Sequence, residues 1–497
     1  MKKINKILVL TFLILALALL GCEDRNDLTA PKAPSTGNAN FTTLVSIGNS
    51  LTAGYQQGAL YKSSQDYSFG NLIAQQVHTT YEQPLFSDPG MHHNGPTDGR
   101  MEVTSLSPFA FTIDKAKGTA LNANYAKPYN NMGIPGIILA DVLTATKSPS
   151  IYSGSNVFID LILRNGSSQT PATPIQQALS LKPTFVLGWI GNNDILGHAT
   201  TGGTLPFTPV ATFQALYAQF AGALAQSGAK AALANIPDVS AIPFFTTVGP
   251  QLAAGSPWIL IAAGQAGLRQ LGLPLDPSGD IIYESESGSN FGMFPSKIAF
   301  ANSSSLKNLT VLITLSAGSF TSFLGDTTGA YYNATGITVP PGYDTSTPFG
   351  FSPVNPLPGN FVLDPAEIAE VKSVTTEYNA AIATQASTYH FALVDINTFF
   401  NGVAASGYTS VDGNKYTTEY VNGGLFGLDG IHPTTQGYGI IANKFIDAIN
   451  SSFNAKIPKV NVSTLPGSLV ISSGKVAKFG KYGIPVFPIH AFDNFRF

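Results

Sequence analysis

Residues 43–54 read TLVSIGNSLTAG. A short run without charge, Thr43 to Ile47, passes into Gly48-Asn49-Ser50 and then into a turn rich in Ala and Gly. Such a run suits a strand buried on both faces of a parallel sheet. Ser50 then falls just past the carboxyl end of the first strand, where open α/β sheets place their ligands. A serine there can also begin a helix, whose unpaired N–H groups favour developing negative charge. Taken alone, a serine at a strand end reads as a turn or cap residue.

Four further apolar runs read as strands: 157–163, 184–190, 231–236 and 391–396. Helical patterns cover 67–77, 212–226, 365–387 and 436–453. Strands alternating with helices predict an α/β fold built on a parallel sheet. Two stretches exceed what such a fold needs, an inserted loop at about 80–128 and a longer segment at about 237–363. The second is rich in Gly, Pro, Ser and Thr and is too long for a structureless loop, so it is expected to form a cap over the sheet edge. Its aromatics, among them Phe244, Phe245, Trp258, Phe291, Phe294, Tyr331, Tyr332, Phe349 and Phe351, are expected to build the insertion's own small core rather than line a cleft. No repeat of fixed period is present.

The chain has 497 residues, a formal net charge of −3, 44% hydrophobic and 11% charged residues. That is ample for a large core and unlike a disordered polyelectrolyte. A weakly acidic balance removes the main electrostatic drive toward nucleic acid. The sequence has no GxxxxGK[ST] phosphate loop, no paired CxxC and no HExxH, which leaves nucleotide-loop, zinc-ribbon and zincin readings without support. The single cysteine, Cys22, excludes an intrachain disulfide.

Residues 1–22 read MKKINKILVLTFLILALALLGC. A basic start, an apolar stretch at 7–20 and a small residue before the cysteine have the layout of an export signal. The stretch falls short of the roughly 20 residues that span a bilayer. Leu19-Leu20-Gly21-Cys22 resembles a bacterial lipobox, which implies cleavage after residue 21 and lipidation of Cys22. Acyl chains there would anchor the protein to a membrane at about 0.8 kcal/mol per buried CH₂. Residues 22–40 read as a polar tether, 41–455 as the main domain and 456–497 as a C-terminal extension, either an added strand or a packed segment.

Three more stretches carry chemistry. Gly133-Ile134-Pro135-Gly136 brings glycine N–H groups close to any bound carbonyl. Gly191-Asn192-Asn193-Asp194 directly follows a predicted strand, and Asn193 has an amide able to point at an oxyanion. Asp429-Gly430-Ile431-His432-Pro433 sets a carboxylate three residues before a histidine. That spacing fixes the imidazole tautomer and leaves the other ring nitrogen to accept a proton. A three-residue pattern of this kind arises about 0.06 times by chance in a chain this long. Two in order come to roughly 0.004 or less.

Taken together, Gly48-Asn49-Ser50-Leu51, Gly136, Gly191-x-Asn193-Asp194 and Asp429-x-x-His432-Pro433 resemble, in order, the four blocks of the SGNH (GDSL-type) serine esterases and lipases. The resemblance implies a three-layer α/β/α fold with a five-stranded, flavodoxin-like parallel sheet carrying large insertions. It implies Ser50 as nucleophile, His432 as general base and Asp429 orienting His432. The oxyanion hole it implies is the Ser50 N–H, the Gly136 N–H and the Asn193 side chain. No cofactor or metal enters such chemistry. One departure stands out: Asn49 occupies a position where the family usually has Asp.

The function expected on this basis is hydrolysis of a carboxylic ester, of a lipid or of an acylated carbohydrate, by an exported enzyme lipid-anchored to the bacterial cell envelope. The partners are the ester substrate and the membrane, with no nucleic acid. The alternatives are a non-catalytic surface lipoprotein binding glycan or lipid in the same cleft, and a transacylase. His92-His93 and His198 read as solvated loop residues without a third metal ligand at sensible spacing.

Overall fold

The computed structural model describes residues 34–92, 98–106, 109–166, 169–255, 258–411 and 413–467. The expected signal segment, Cys22, most of the tether, His93 and residues 468–497 lie outside the described residues.

Five short strands form the central sheet: β1 (Leu44–Gly48), β2 (Asn131–Gly133), β3 (Phe185–Trp189), β4 (Lys230–Ala234) and β5 (Ala392–Val394). Their order across the sheet is β5-β4-β3-β1-β2. Every pairing is parallel. The first and third are wholly buried, and the fourth is buried after Lys230, as apolar strands covered on both faces must be. Gly48 pairs with Gly133 on one side and with Trp189 on the other. The carboxyl ends of β2, β1 and β3 therefore finish level, with β1 and β3 flanking the point where the strand order reverses.

Helices cover both faces. In chain order they include α1 (Ser50–Ala53), α2 (Phe69–Gln76), α3 (Leu139–Thr144), α4 (Val157–Leu163), α5 (Asn193–Thr200), α6 (Val210–Gln226), α7 (Pro243–Thr246), α8 (Pro365–Thr388) and α9 (Thr435–Phe453). α2 and α9 pack together on one face. There Phe69 stacks on Phe445 at 4.6 Å and both meet Trp189. α6 and α8 pack together on the other, with α3 beside α6, and Phe213 stacks on Tyr378 at 3.8 Å. The result is a three-layer α/β/α sandwich. The buried stripe of α9 (Ile440, Ile441, Phe445, Ile446, Ile449) contributes roughly 1.5–3 kcal/mol per side chain. Thr434 caps its start by accepting from the Gly437 N–H, and Asn454 ends it in the left-handed region.

Two sequence expectations about the sheet are corrected. Residues 157–163 form α4, not a strand. Asn156 caps it by accepting from the Phe158 N–H at 3.0 Å, and the buried positions 158, 159, 162 and 163 recur at helical spacing. A seven-residue apolar run does not by itself separate the two periods. The fifth strand is instead β2, whose three residues are too few to show any period.

Residues 237–363 hold α7, an antiparallel pair (Asp280–Ser289 with Ile298–Asn302) and a two-residue pair (Leu312–Ile313 with Val362–Leu363). Tyr331 packs on Phe320 and Phe349, and Phe320 on Phe361. Phe291 and Phe294 join a second cluster around Leu273, Leu275, Ile282 and Ile298. Of the aromatics expected to build a core of the insertion's own, Phe291 and Phe294 thus do so, whereas Phe244, Phe245, Tyr331, Tyr332 and Phe349 join the main core. The earlier insertion contains the hairpin Met101–Leu106 with Phe109–Ile113. Residues 456–467 return along α9 as a packed segment, where the Asn443 and Asn450 amides pair with the backbone of Val460 and Ile457. Among the described residues no helix is long and apolar enough to cross a membrane.

Candidate active site

β1 ends at Gly48, where no side chain fits: a Cβ would lie 2.2 Å from the Trp189 carbonyl oxygen of the neighbouring β3 and 2.1 Å from Thr52 Oγ1. The chain then turns directly into α1, of which Ser50 is the first residue. Asn49 caps this helix, its Oδ1 accepting from the Leu51 N–H at 3.1 Å. An aspartate oxygen would make the same bond, so the asparagine keeps the turn without adding charge. Its Nδ2 is buried, with no hydrogen-bond partner among the described residues.

His432 reaches this turn from the loop before α9. Its Nε2 lies 2.9 Å from Ser50 Oγ, and its Nδ1 lies 3.1 Å from Asp429 Oδ2. With an ionised Asp429 as acceptor, Nδ1 carries the proton and Nε2 is the acceptor for the serine hydroxyl. All three side chains are buried. Asp429 receives four N–H groups: Ile431 N (2.9 Å) and His432 N (2.8 Å) on Oδ1, and Gly58 N (2.8 Å) and His432 Nδ1 on Oδ2. Burial alone would raise its pKa. The charge of His432 and these hydrogen bonds outweigh burial and hold the carboxyl below its ordinary value. The Tyr55 ring lies 4.7 Å from the imidazole, and the Leu428 N–H donates to the Gln57 side chain. Residues 55–58 thus brace the loop that carries Asp429 and His432, which nothing in the sequence signalled.

The glycine turn and the Asn193 turn are tied to each other. Asn193 Nδ2 donates to the Ile137 carbonyl at 2.9 Å. Asp194 accepts from the Leu139 N–H at 2.9 Å and from Thr208 Oγ1 at 2.8 Å. Burial pushes the Asp194 pKa up to about 7, against the pull of those hydrogen bonds. The Gly133 N–H is already taken by Asn131 Oδ1 at 2.9 Å. The N–H groups of Gly136 and Ser50 donate to no other group among the described residues, which separates Gly136 from Gly133 as a candidate donor.

Ser50, Asn193 and His432 line one cleft, with Asp429 behind His432. Gly136 does not line it, and joins it through the Ile137–Asn193 bond. The cleft encloses about 500 Å³ with its open mouth included. Its other walls are largely apolar, including Trp189, Leu196, Phe400, Phe426 and Ile431. Asn192 also lines it, with both side-chain amide atoms buried and without a hydrogen-bond partner among the described residues. The insertion adds Pro237, Val239 and Ile242. These wall residues lie outside the motif blocks, and only the return of chain onto one rim reveals them.

The solvated reading of the histidines is corrected. His92 is buried, and burial lowers its pKa against the nearby Asp98. His198 is buried on α5, with Nδ1 bonded to the Leu205 carbonyl and Nε2 3.5 Å from Glu370. Among the described residues no cluster of His, Cys, Asp and Glu is disposed to hold a metal ion.

Residues 312–445 match the family model described as GDSL-like Lipase/Acylhydrolase. The matched stretch contains Asp429 and His432, whereas Ser50, Gly136 and Asn193 precede it. No curated protein and no solved structure is significantly similar to the chain.

Proposed function

With residues 312–445 matching the GDSL-like Lipase/Acylhydrolase model, we propose that the chain is an SGNH-type hydrolase, a serine carboxylic ester hydrolase working through an acyl-enzyme. The observation that carries this reading is the unbroken hydrogen-bonded line Asp429–His432–Ser50 at the end of β1. The N–H groups of Ser50 and Gly136, which donate to no other group among the described residues, support it.

In the proposed first step Ser50 Oγ attacks the ester carbonyl and its proton passes to His432 Nε2. Asp429 stabilises the imidazolium that forms. The oxyanion receives the N–H groups of Ser50 and Gly136 and the second amide hydrogen of Asn193. Each such donor is worth about 3–4 kcal/mol in the transition state. His432 then protonates the departing alcohol. In the second step water gives its proton to His432 and attacks the acyl group, and Ser50 recovers its hydrogen as the acid leaves. The departure at Asn49 does not weaken this reading, because the cap on the nucleophile's turn is made by an oxygen that Asn and Asp share.

The substrate in this reading is a lipid or acylated-carbohydrate ester at the cell envelope. The export and lipidation pattern of residues 1–22 supports that location. Incorporation of labelled fatty acid that is lost in Cys22→Ala tests it, and equal labelling of both proteins overturns it. The reaction itself is tested on p-nitrophenyl butyrate: Ser50→Ala lowers kcat by about 10⁴ or more. Wild-type turnover in that variant overturns the proposal.

A further inference from the structure

We propose that the start of the insertion, through Val239 and Ile242, is the acyl-selectivity wall of the cleft, and that the enzyme acts on esters of apolar acids of limited length. This rests on the ester-hydrolase reading above and deepens it.

The first support is the composition of the cleft. His432 is its only titratable side chain, and its amides are those of Asn192 and Asn193, while the remaining walls apart from Ser50 are aliphatic, aromatic or proline. A charged acyl group or a sugar entering here would lose its water with few partners to replace it. An alkyl chain loses nothing and gains burial. The chemistry says which part of the ester sits in it. The alcohol must leave and be replaced by water, whereas the acyl group stays bonded to Ser50 through both steps. A buried apolar wall next to the nucleophile suits the part that stays.

The second support is how that wall is held. α7 follows Ile242 directly, and its Phe244 N–H donates to the Gly430 carbonyl at 3.0 Å. Gly430 is in the left-handed region, and a Cβ there would lie 2.9 Å from both Phe244 N and Leu315 Cδ2. The insertion is therefore seated against the backbone between Asp429 and His432. Val239 and Ile242 are themselves buried. A wall fixed to the acid–base loop sets a firm limit on chain length, where a loose loop would yield.

The test is the ratio of kcat/KM for p-nitrophenyl octanoate to that for p-nitrophenyl acetate, with folded sites counted by fluorophosphonate titration. Val239→Phe fills the cleft and is expected to lower the ratio about tenfold or more. Ile242→Ala enlarges it and is expected to raise the ratio about threefold or more. Ester turnover with the same ratio in wild type and both variants overturns the wall and leaves the hydrolase reading standing. Absence of turnover and of titratable serine in the wild type overturns both.

Discussion

The Gly58 N–H donates to Asp429 Oδ2 at 2.8 Å, joining positions 371 residues apart. The same oxygen accepts from His432 Nδ1, and the other oxygen is filled by two backbone N–H groups of the acid–base loop. Asp429 is thus a carboxylate whose acceptor positions are all in use, which fixes its rotamer and, through it, the face that His432 presents to Ser50.

Asp429→Asn replaces one acceptor oxygen by an NH₂ that faces N–H donors. The imidazole then loses the partner that selects its tautomer. A fall in kcat of about 10³–10⁴ is expected, read by steady-state turnover of a short ester. Because the Asp429 pKa is depressed in the fold, its contribution to stability is present above the unfolded carboxylate value and is lost as pH falls through the folded one. Denaturant unfolding of wild type and variant across pH 2–5 checks this: the wild type loses stability toward acid more steeply.

Asp194 carries the opposite sign. Its pKa is raised from 3.8 to about 7 by burial, so the folded chain holds a proton there that the unfolded chain releases. That contribution is full below the unfolded value and is lost as pH rises through about 7. Asp194→Asn removes the titration. The gap in unfolding free energy between variant and wild type is expected to move in the variant's favour from pH 4 to pH 8. A gap independent of pH contradicts the assignment.

Gly430→Ala forces a side chain into a left-handed residue against Phe244 and Leu315. A loss of about 1–3 kcal/mol in stability is expected. The acid–base loop must shift to relieve the contact, so kcat falls as well. Thermal melts and turnover of the purified variant measure both effects.

Asn49→Asp keeps the oxygen that caps α1 and adds negative charge beside Ser50. Added negative charge favours the imidazolium, so the acid limb of kcat/KM against pH is expected to move to higher pH. An unmoved limb shows that charge at position 49 does not reach His432.

The parts of this fold with the most regular pattern were the easiest to read. β1, β3, β4 and β5 are largely apolar runs followed by turn residues, with Lys230 at the start of β4 the one charge, and α9 shows its buried stripe at helical spacing. α4 was misread because seven apolar residues fit either period, and β2 was missed because three residues fit none. Within the site, Ser50, Asn193, Asp429 and His432 announce themselves as spaced motifs, since short-range geometry demands those residue types in that order. Gly58 and Gln57 gave no such signal, because what they contact lies more than 370 residues away in sequence. Val239 and Ile242 were equally silent: aliphatic residues at the start of a long insertion look alike whether they face its core or a cleft.

The most direct test of the central claim, that His432 activates Ser50 as a nucleophile, is mass-spectrometric mapping of a fluorophosphonate adduct. The prediction is one phosphonyl group, carried by the peptide containing Ser50, with labelling abolished in Ser50→Ala and strongly slowed in His432→Ala. A protein that stays unmodified, or carries the adduct at another serine, contradicts it.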